Sequence, residues 1–173
     1  VKHRRIADNR SANWALFERP IRIPDYDDPS KVYLTRWRLI STPWFAIFVH
    51  RLDGPDPRAT PHDHPWSFRS FVLRGGYIER RLDPLTMEID EARVVRRMNH
   101  IHAGEAHSIR RLLRAPTWTI VFVGSRRRTW GYWENCIIGK LVVMPGWLWT
   151  EFDQHPYNEE FKQAMARHKE LVG

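Results

Sequence analysis

Two histidines one residue apart, His62 and His64, lie in the string Pro61-His62-Asp63-His64-Pro65-Trp66. On an extended strand, residues i and i+2 point to the same face, so the two imidazoles stand side by side and can chelate one metal ion. His107 follows 43 residues after His64 and ends the string His102-Ala103-Gly104-Glu105-Ala106-His107. A third imidazole from a distant strand would complete a facial three-nitrogen site with open positions for water or substrate. Zn²⁺, Fe²⁺, Mn²⁺, Ni²⁺ and Cu²⁺ all accept such a set. Two carboxylates are placed to move protons nearby. Glu79 is the first candidate for a general base, and Glu105, beside His107, is the second. Asp63 points away from its flanking histidines on a regular strand and is expected to pin the loop.

A second chemistry is anion binding. The 173 residues carry a formal net charge of +8, and the cations are 23 Arg against 5 Lys. Arg pairs with carboxylate and phosphate through two parallel hydrogen bonds and stacks on aromatic rings. Tyr77 is a candidate contact for a small anionic substrate. The run Arg126-Arg127-Arg128, followed by Trp130-Gly131-Tyr132-Trp133, reads as a basic rim with stacking surface, in which Arg126, Arg128 and Trp130 would touch the ligand. The same pairing of cations with stacking aromatics holds single-stranded nucleic acid, so a polyanion partner stays open. A solvated strand edge would carry the same residues.

These groups need elements to position them. Short strands are expected over Val32–Ile40, Trp44–Leu52, Ser67–Leu73, Tyr77–Leu82, Ala92–Arg97, His107–Leu113 and Thr117–Val123, continuing through Trp130–Trp133 and Ile137–Val143. Gly75-Gly76 reads as a hairpin turn. Strands at this spacing point to an all-β sandwich or barrel. Residues 1–30 read as an N-terminal arm with a short helix near Ser11–Phe17, residues 31–146 as the barrel, and residues 147–173 as a tail and helix. That helix runs from Asn158, its N-cap, to Leu171, with a stripe of Phe161, Met165 and His168. His3, His155 and His168 are expected at the surface, and His50 in the core with one hydrogen bond. The lone cysteine, Cys136, excludes an internal disulfide and a Cys-cluster zinc site. No stretch approaches the ~18 apolar residues of a membrane helix, so no membrane partner is expected.

The pattern resembles the cupin superfamily, a small jelly-roll β-barrel. His62 and His64 fit the HxH of its first motif and Gly75 the closing glycine. Gly104 and His107 fit the GxxH of its second motif. The resemblance covers about residues 44–124. The string His-Asp-His-Pro-Trp, with Ser67–Tyr77 after it, is similar to small cupin-like proteins of bacteriophages and actinobacteria. The departures are specific. The first-motif glutamate would fall at Phe68 or Arg69, His102 replaces a proline, and Arg96 and Arg111 replace a glycine and an asparagine. The resemblance thus leaves a fourth ligand to be supplied by Glu79 or, second, Glu105, and an inward Arg69 at the glutamate's place would be a candidate contact for a small anionic substrate.

The resemblance implies a cupin-type barrel with His62, His64 and His107 on a divalent transition metal (Zn, Fe, Mn or Ni). It implies a bacterial cytoplasmic protein, or a phage protein in a bacterial host, and a homodimer. The function expected is a metal-dependent enzyme of oxygenase, isomerase or hydrolase type acting on a small anion. The alternatives are a non-catalytic module for nucleic acid or another polyanion, and a metal-free cupin like those that isomerise sugar-nucleotides.

Overall fold

The computed structural model describes residues 14–83, 86, 88–135 and 147–172. Twelve strands and one α-helix build it: β1 (Ala15–Leu16), β2 (Ile21–Pro24), β3 (Val32–Ser41), β4 (Ala46–Leu52), β5 (Phe68–Arg74), β6 (Tyr77–Leu82), β7 (Ile89–Val95), β8 (Met98–Ile101), β9 (Ala106–Leu112), β10 (Thr117–Val123), β11 (Gly131–Asn135), β12 (Trp147–Glu151) and α1 (Pro156–Val172).

One sheet has the order β1-β3-β4-β10-β5-β8, with β2 also on β3, and every pairing is antiparallel. The facing sheet carries β7-β6-β9 and the pair β11-β12. The HxH segment joins these two parts. His62 bridges both His107 and Tyr132, exchanging backbone hydrogen bonds with His107 at 2.9 and 3.0 Å. Alternating side chains from both sheets meet in a shared interior, which is how a sandwich forms its core. Leu34, Leu52, Tyr77, Val95, Ile109, Tyr132 and Phe152 form its main buried cluster.

Several expectations are corrected. Gly75-Gly76 is a corner, because β5 lies in one sheet and β6 in the other. Both glycines have positive φ, and a Cβ on Gly75 would stand 2.5 Å from Thr117 Oγ1. The arm and the tail both contribute strands: β1 and β2 pair with β3, and β12 pairs with β11. Ala15–Leu16 is strand where a helix was expected. The rest of that expected helix up to residue 13, the strand expected at Ile137–Val143, Cys136 and His3 lie outside the described residues.

The C-terminal helix begins two residues before Asn158, at Pro156, whose missing N–H suits a first turn. His155 caps it by accepting from the Tyr157 N–H at Nδ1 (3.1 Å). His155 and His168 are buried rather than superficial. His155 sits against Tyr132, and His168 Nδ1 meets the Pro29 carbonyl at 3.0 Å. Phe161 and Ala164 are buried as the helix packs toward the barrel. Among the described residues, no helix is long and apolar enough to cross a membrane.

Candidate metal centre and ligand cavity

The three sequence-selected histidines converge. Their ring centroids are 5.1 Å (His62–His64), 5.1 Å (His62–His107) and 5.2 Å (His64–His107) apart. One nitrogen from each lies within 4.8 Å of the others. Two come from the bridging HxH segment and the third from β9, brought beside it by the His62–His107 backbone bonds. Asp63, between the two histidines, is fully buried and faces the other way. It accepts from Gly131 N (2.8 Å) and Trp149 Nε1 (3.0 Å) and pairs with Arg128 Nη1 (3.1 Å). It thus holds the loop.

Hydrogen bonds assign the imidazole nitrogens. His62 Nδ1 faces the Thr60 carbonyl at 3.3 Å, so this nitrogen carries the proton and Nε2 its lone pair. His107 Nδ1 faces Glu79 Oε2 at 3.3 Å, so in the neutral ring Nδ1–H donates to the carboxylate and Nε2 holds the lone pair. His107 Nε2 and His64 Nε2 are 3.0 Å apart. That gap has room for one proton or one shared cation. Two nitrogens at a right angle on one ion, each at ~2.1 Å, would stand ~3.0 Å apart. The donor set therefore fits a divalent transition metal. Burial lowers the pKa of both His62 and His64 and keeps them neutral, the form a metal needs.

Glu79 is fully buried behind His107. Its carboxylate accepts from Arg81 Nε (2.7 Å) and Asn99 Nδ2 (2.8 Å) as well as His107. Burial would raise its pKa, but His107 and Arg81 hold it below the usual value. This is the arrangement of a carboxylate that orients a ligating imidazole. It differs from the expected fourth ligand or general base, because these partners turn the carboxylate toward Nδ1 of His107.

The histidines open onto a cavity of about 210 Å³ inside the barrel. Tyr77 lines it, its hydroxyl accepting from Asn99 Nδ2 at 3.1 Å. Trp130 also lines it, stacked on Phe152 at 4.2 Å between centroids.

The other selected residues lie elsewhere. Arg69 is exposed on the outer face beside His100 and Phe122, because Phe68 takes the inward position of β5. Glu105 accepts from the His102 N–H at 2.6 Å and does not line the cavity. Arg128 is held by Asp63 and lies over Trp149 at 5.5 Å. Arg126 is exposed and away from the cavity lining. The expected basic rim is thus divided: Trp130 turns inward while Arg126 stays outside.

Two cavity residues escaped the sequence reading of the site. Arg36 on β3 and His50 on β4 are direct cross-strand partners and both line the cavity. Arg36 Nε donates to His50 Nε2 at 3.0 Å. Burial, and then the neighbouring Arg36 charge, push the His50 pKa well down. The legible signal was alternation: Arg36 shares its strand face with Leu34, and His50 shares its face with Phe48 and Leu52.

No protein-family model matches the sequence, and no curated protein matches it at significance. Solved structures do match. The R92A mutant of oxalate decarboxylase from Bacillus subtilis superposes with a TM-score of 0.50 at 12% identity, over 70% of this chain and 32% of that one. KdgF from Halomonas sp. has a TM-score of 0.48 at 15% identity, over 65% of this chain and 96% of that one. Hydroxypropylphosphonic acid epoxidase from S. wedmorenis has a TM-score of 0.45 at 12% identity, over 65% and 63%. The chain thus spans nearly all of KdgF but under a third of the oxalate decarboxylase. With two antiparallel sheets closing on one cavity, and the likeness to oxalate decarboxylase at that level, this chain has the cupin jelly-roll fold.

Proposed function

We propose that this chain is a metal-dependent cupin-fold enzyme. His62, His64 and His107 would hold one divalent transition metal, and a small anionic substrate would enter the barrel. The observation that carries this reading is the convergence of three imidazoles on one point beside a cavity, the third oriented by a buried carboxylate. A bound Zn, Fe, Mn or Ni ion would supply Lewis acidity, and in the case of Fe or Mn redox capacity, to an oxygen donor on the substrate. The chain's own residues do the rest. Thr60 and Glu79 fix the His62 and His107 rings through Nδ1. Trp130, Phe152 and Phe48 wall the cavity against water.

Dialysis against Mn²⁺, Fe²⁺, Zn²⁺ and Ni²⁺, followed by elemental analysis, tests this reading. Near-stoichiometric metal is expected in the parent and a large loss in His62→Ala/His64→Ala. No retained metal with any of the four would refute it. The reading as a nucleic-acid module has less support, since Arg128 is committed to Asp63 and Trp130 faces inward. The homodimer expectation has support in one surface. The outward face of the larger sheet carries a stacked Trp37–Trp118 pair beside exposed Phe71 and Phe122. Analytical ultracentrifugation tests it, and a monomer at micromolar concentration would contradict it.

A further inference from the structure

Arg36 is unusual among the described cations. It lies among apolar cavity residues, and burial lowers its pKa. A buried charge is normally paired with an opposite one. Glu79 serves Arg81, Asp63 serves Arg128, and Glu18 serves Arg38 at 3.0 Å. Among the described residues, no carboxylate pairs with Arg36. Its Nε is used by neutral His50, and its guanidinium lies 5.4 Å from the Phe48 ring centre. Among the described residues, neither terminal nitrogen has a hydrogen bond and neither is a sealed-off unpartnered atom, so both are open to the cavity that Arg36 lines. Two parallel N–H groups are left facing space of ligand size.

The rest of the cavity says what else the ligand has. Most of the remaining wall is apolar: Leu34, Phe48, Val121, Ile109 and Phe152 offer area and no hydrogen bonds, with tyrosine and threonine hydroxyls and the Trp130 indole scattered among them. Asp56, the only lining carboxylate among the described residues, accepts from the Ile109 N–H at 2.6 Å. It would repel a second anionic group. The volume of about 210 Å³ is below the ~300–1,000 Å³ of drug-sized pockets.

We propose that Arg36 binds the carboxylate of a small monoanionic acid with an apolar body, presenting that acid to the three-histidine centre. His50 holds the guanidinium plane by accepting from Nε. A planar carboxylate matches the remaining fork with two hydrogen bonds. This inference rests on the proposal that the barrel interior is the ligand site.

The test uses hexanoate and benzoate as probes, hexanamide and benzamide as neutral counterparts, and phenylphosphonate as a dianion. Thermal shift and calorimetry are run on the full chain with chelator present and again after Mn²⁺ loading. With chelator, the acids should raise Tm by several degrees and the amides should not. Arg36→Met should abolish the acid shift while retaining parental Mn²⁺ stoichiometry. Arg36→Lys, which keeps charge without the fork, should weaken acid binding at least about tenfold. Unliganded Arg36→Met should melt no lower than the parent, since it removes a charge that has no partner.

The proposal is overturned if the amides bind as well as the acids. It is also overturned if phenylphosphonate binds more tightly than benzoate, or if both Arg36 variants retain acid binding. If Arg36→Met fails to fold, Arg36 is a structural residue and the proposal falls on that variant. Absence of Mn²⁺ binding in a parent that still takes the acids through Arg36 would refute the metal reading alone.

Discussion

Glu79→Gln is a demanding perturbation, because it preserves shape and removes only charge and one acceptor. Glu79 receives three donors at its two oxygens: His107 Nδ1 at 3.3 Å, Arg81 Nε at 2.7 Å and Asn99 Nδ2 at 2.8 Å. Glutamine offers one oxygen and one NH₂ group, so at least one donor must face another donor. The residue has no solvent exposure and the Arg81 side chain only 15%, so water relieves little of the conflict. Leaving a buried donor unpaired costs about 1–3 kcal/mol, and more when the donor is charged. Breaking one partner of a buried pair costs about 3–5 kcal/mol. With partial relaxation of Arg81, about 3 kcal/mol is expected, or ~6–12 °C in Tm for a chain of this size. The His107 ring also loses the anion that orients it, so metal affinity should fall ~10–100-fold. Urea unfolding with chelator reads the first effect, and competition with a metallochromic chelator reads the second. Parental stability together with parental metal affinity would refute the reasoning.

Other outcomes follow from the same geometry. His50, His62 and His64 are held neutral by burial, while in the unfolded chain they titrate near ~6.5. The unfolded state therefore binds more protons below that pH. Stability should be full above ~6.5 and decline as the pH falls from there toward the depressed native values. Metal-free urea melts between pH 8 and pH 5 check this, and a flat profile would contradict it. Asp63→Ala strips the partner from Arg128 and the acceptor from Trp149 and the Gly131 N–H, and should cost about 3 kcal/mol by denaturant titration. Gly75→Ala places a Cβ 2.5 Å from Thr117 Oγ1 and 2.9 Å from the Arg114 carbonyl at positive φ. It should destabilise by about 2 kcal/mol or more. Arg69→Ala, on the outer face, should change stability by no more than about 0.5 kcal/mol and leave acid binding intact.

The histidine cluster was legible because metal ligation imposes a local rule: two ligands on one strand face, then a third from a distant strand. Glu79 was legible as an inward residue, but its partner was not. The pairing of β6 with β9 sets Arg81 opposite His107 and Glu79 opposite Ile109, and a register shift in that pairing does not show in spacing. Arg69 was misread because a family position was carried over to a strand whose inward phase belongs to Phe68. Arg36 and His50 alternate with Leu34 and Phe48, yet alternation alone does not tell which face closes on the cavity. The short strands β8 and β12 were missed because pairing with β5 and β11, rather than their own residues, makes them strands. The helix start was missed by reading Asn158 as the cap where Pro156 and His155 already supplied one.

X-ray absorption at the metal edge of the reconstituted protein tests the central claim most directly. Three imidazole nitrogens at ~2.0–2.2 Å are predicted in the parent, with that signature lost in His62→Ala/His64→Ala. A parent spectrum with oxygen scatterers only, or one that the double substitution leaves unchanged, would contradict a three-histidine centre inside the barrel.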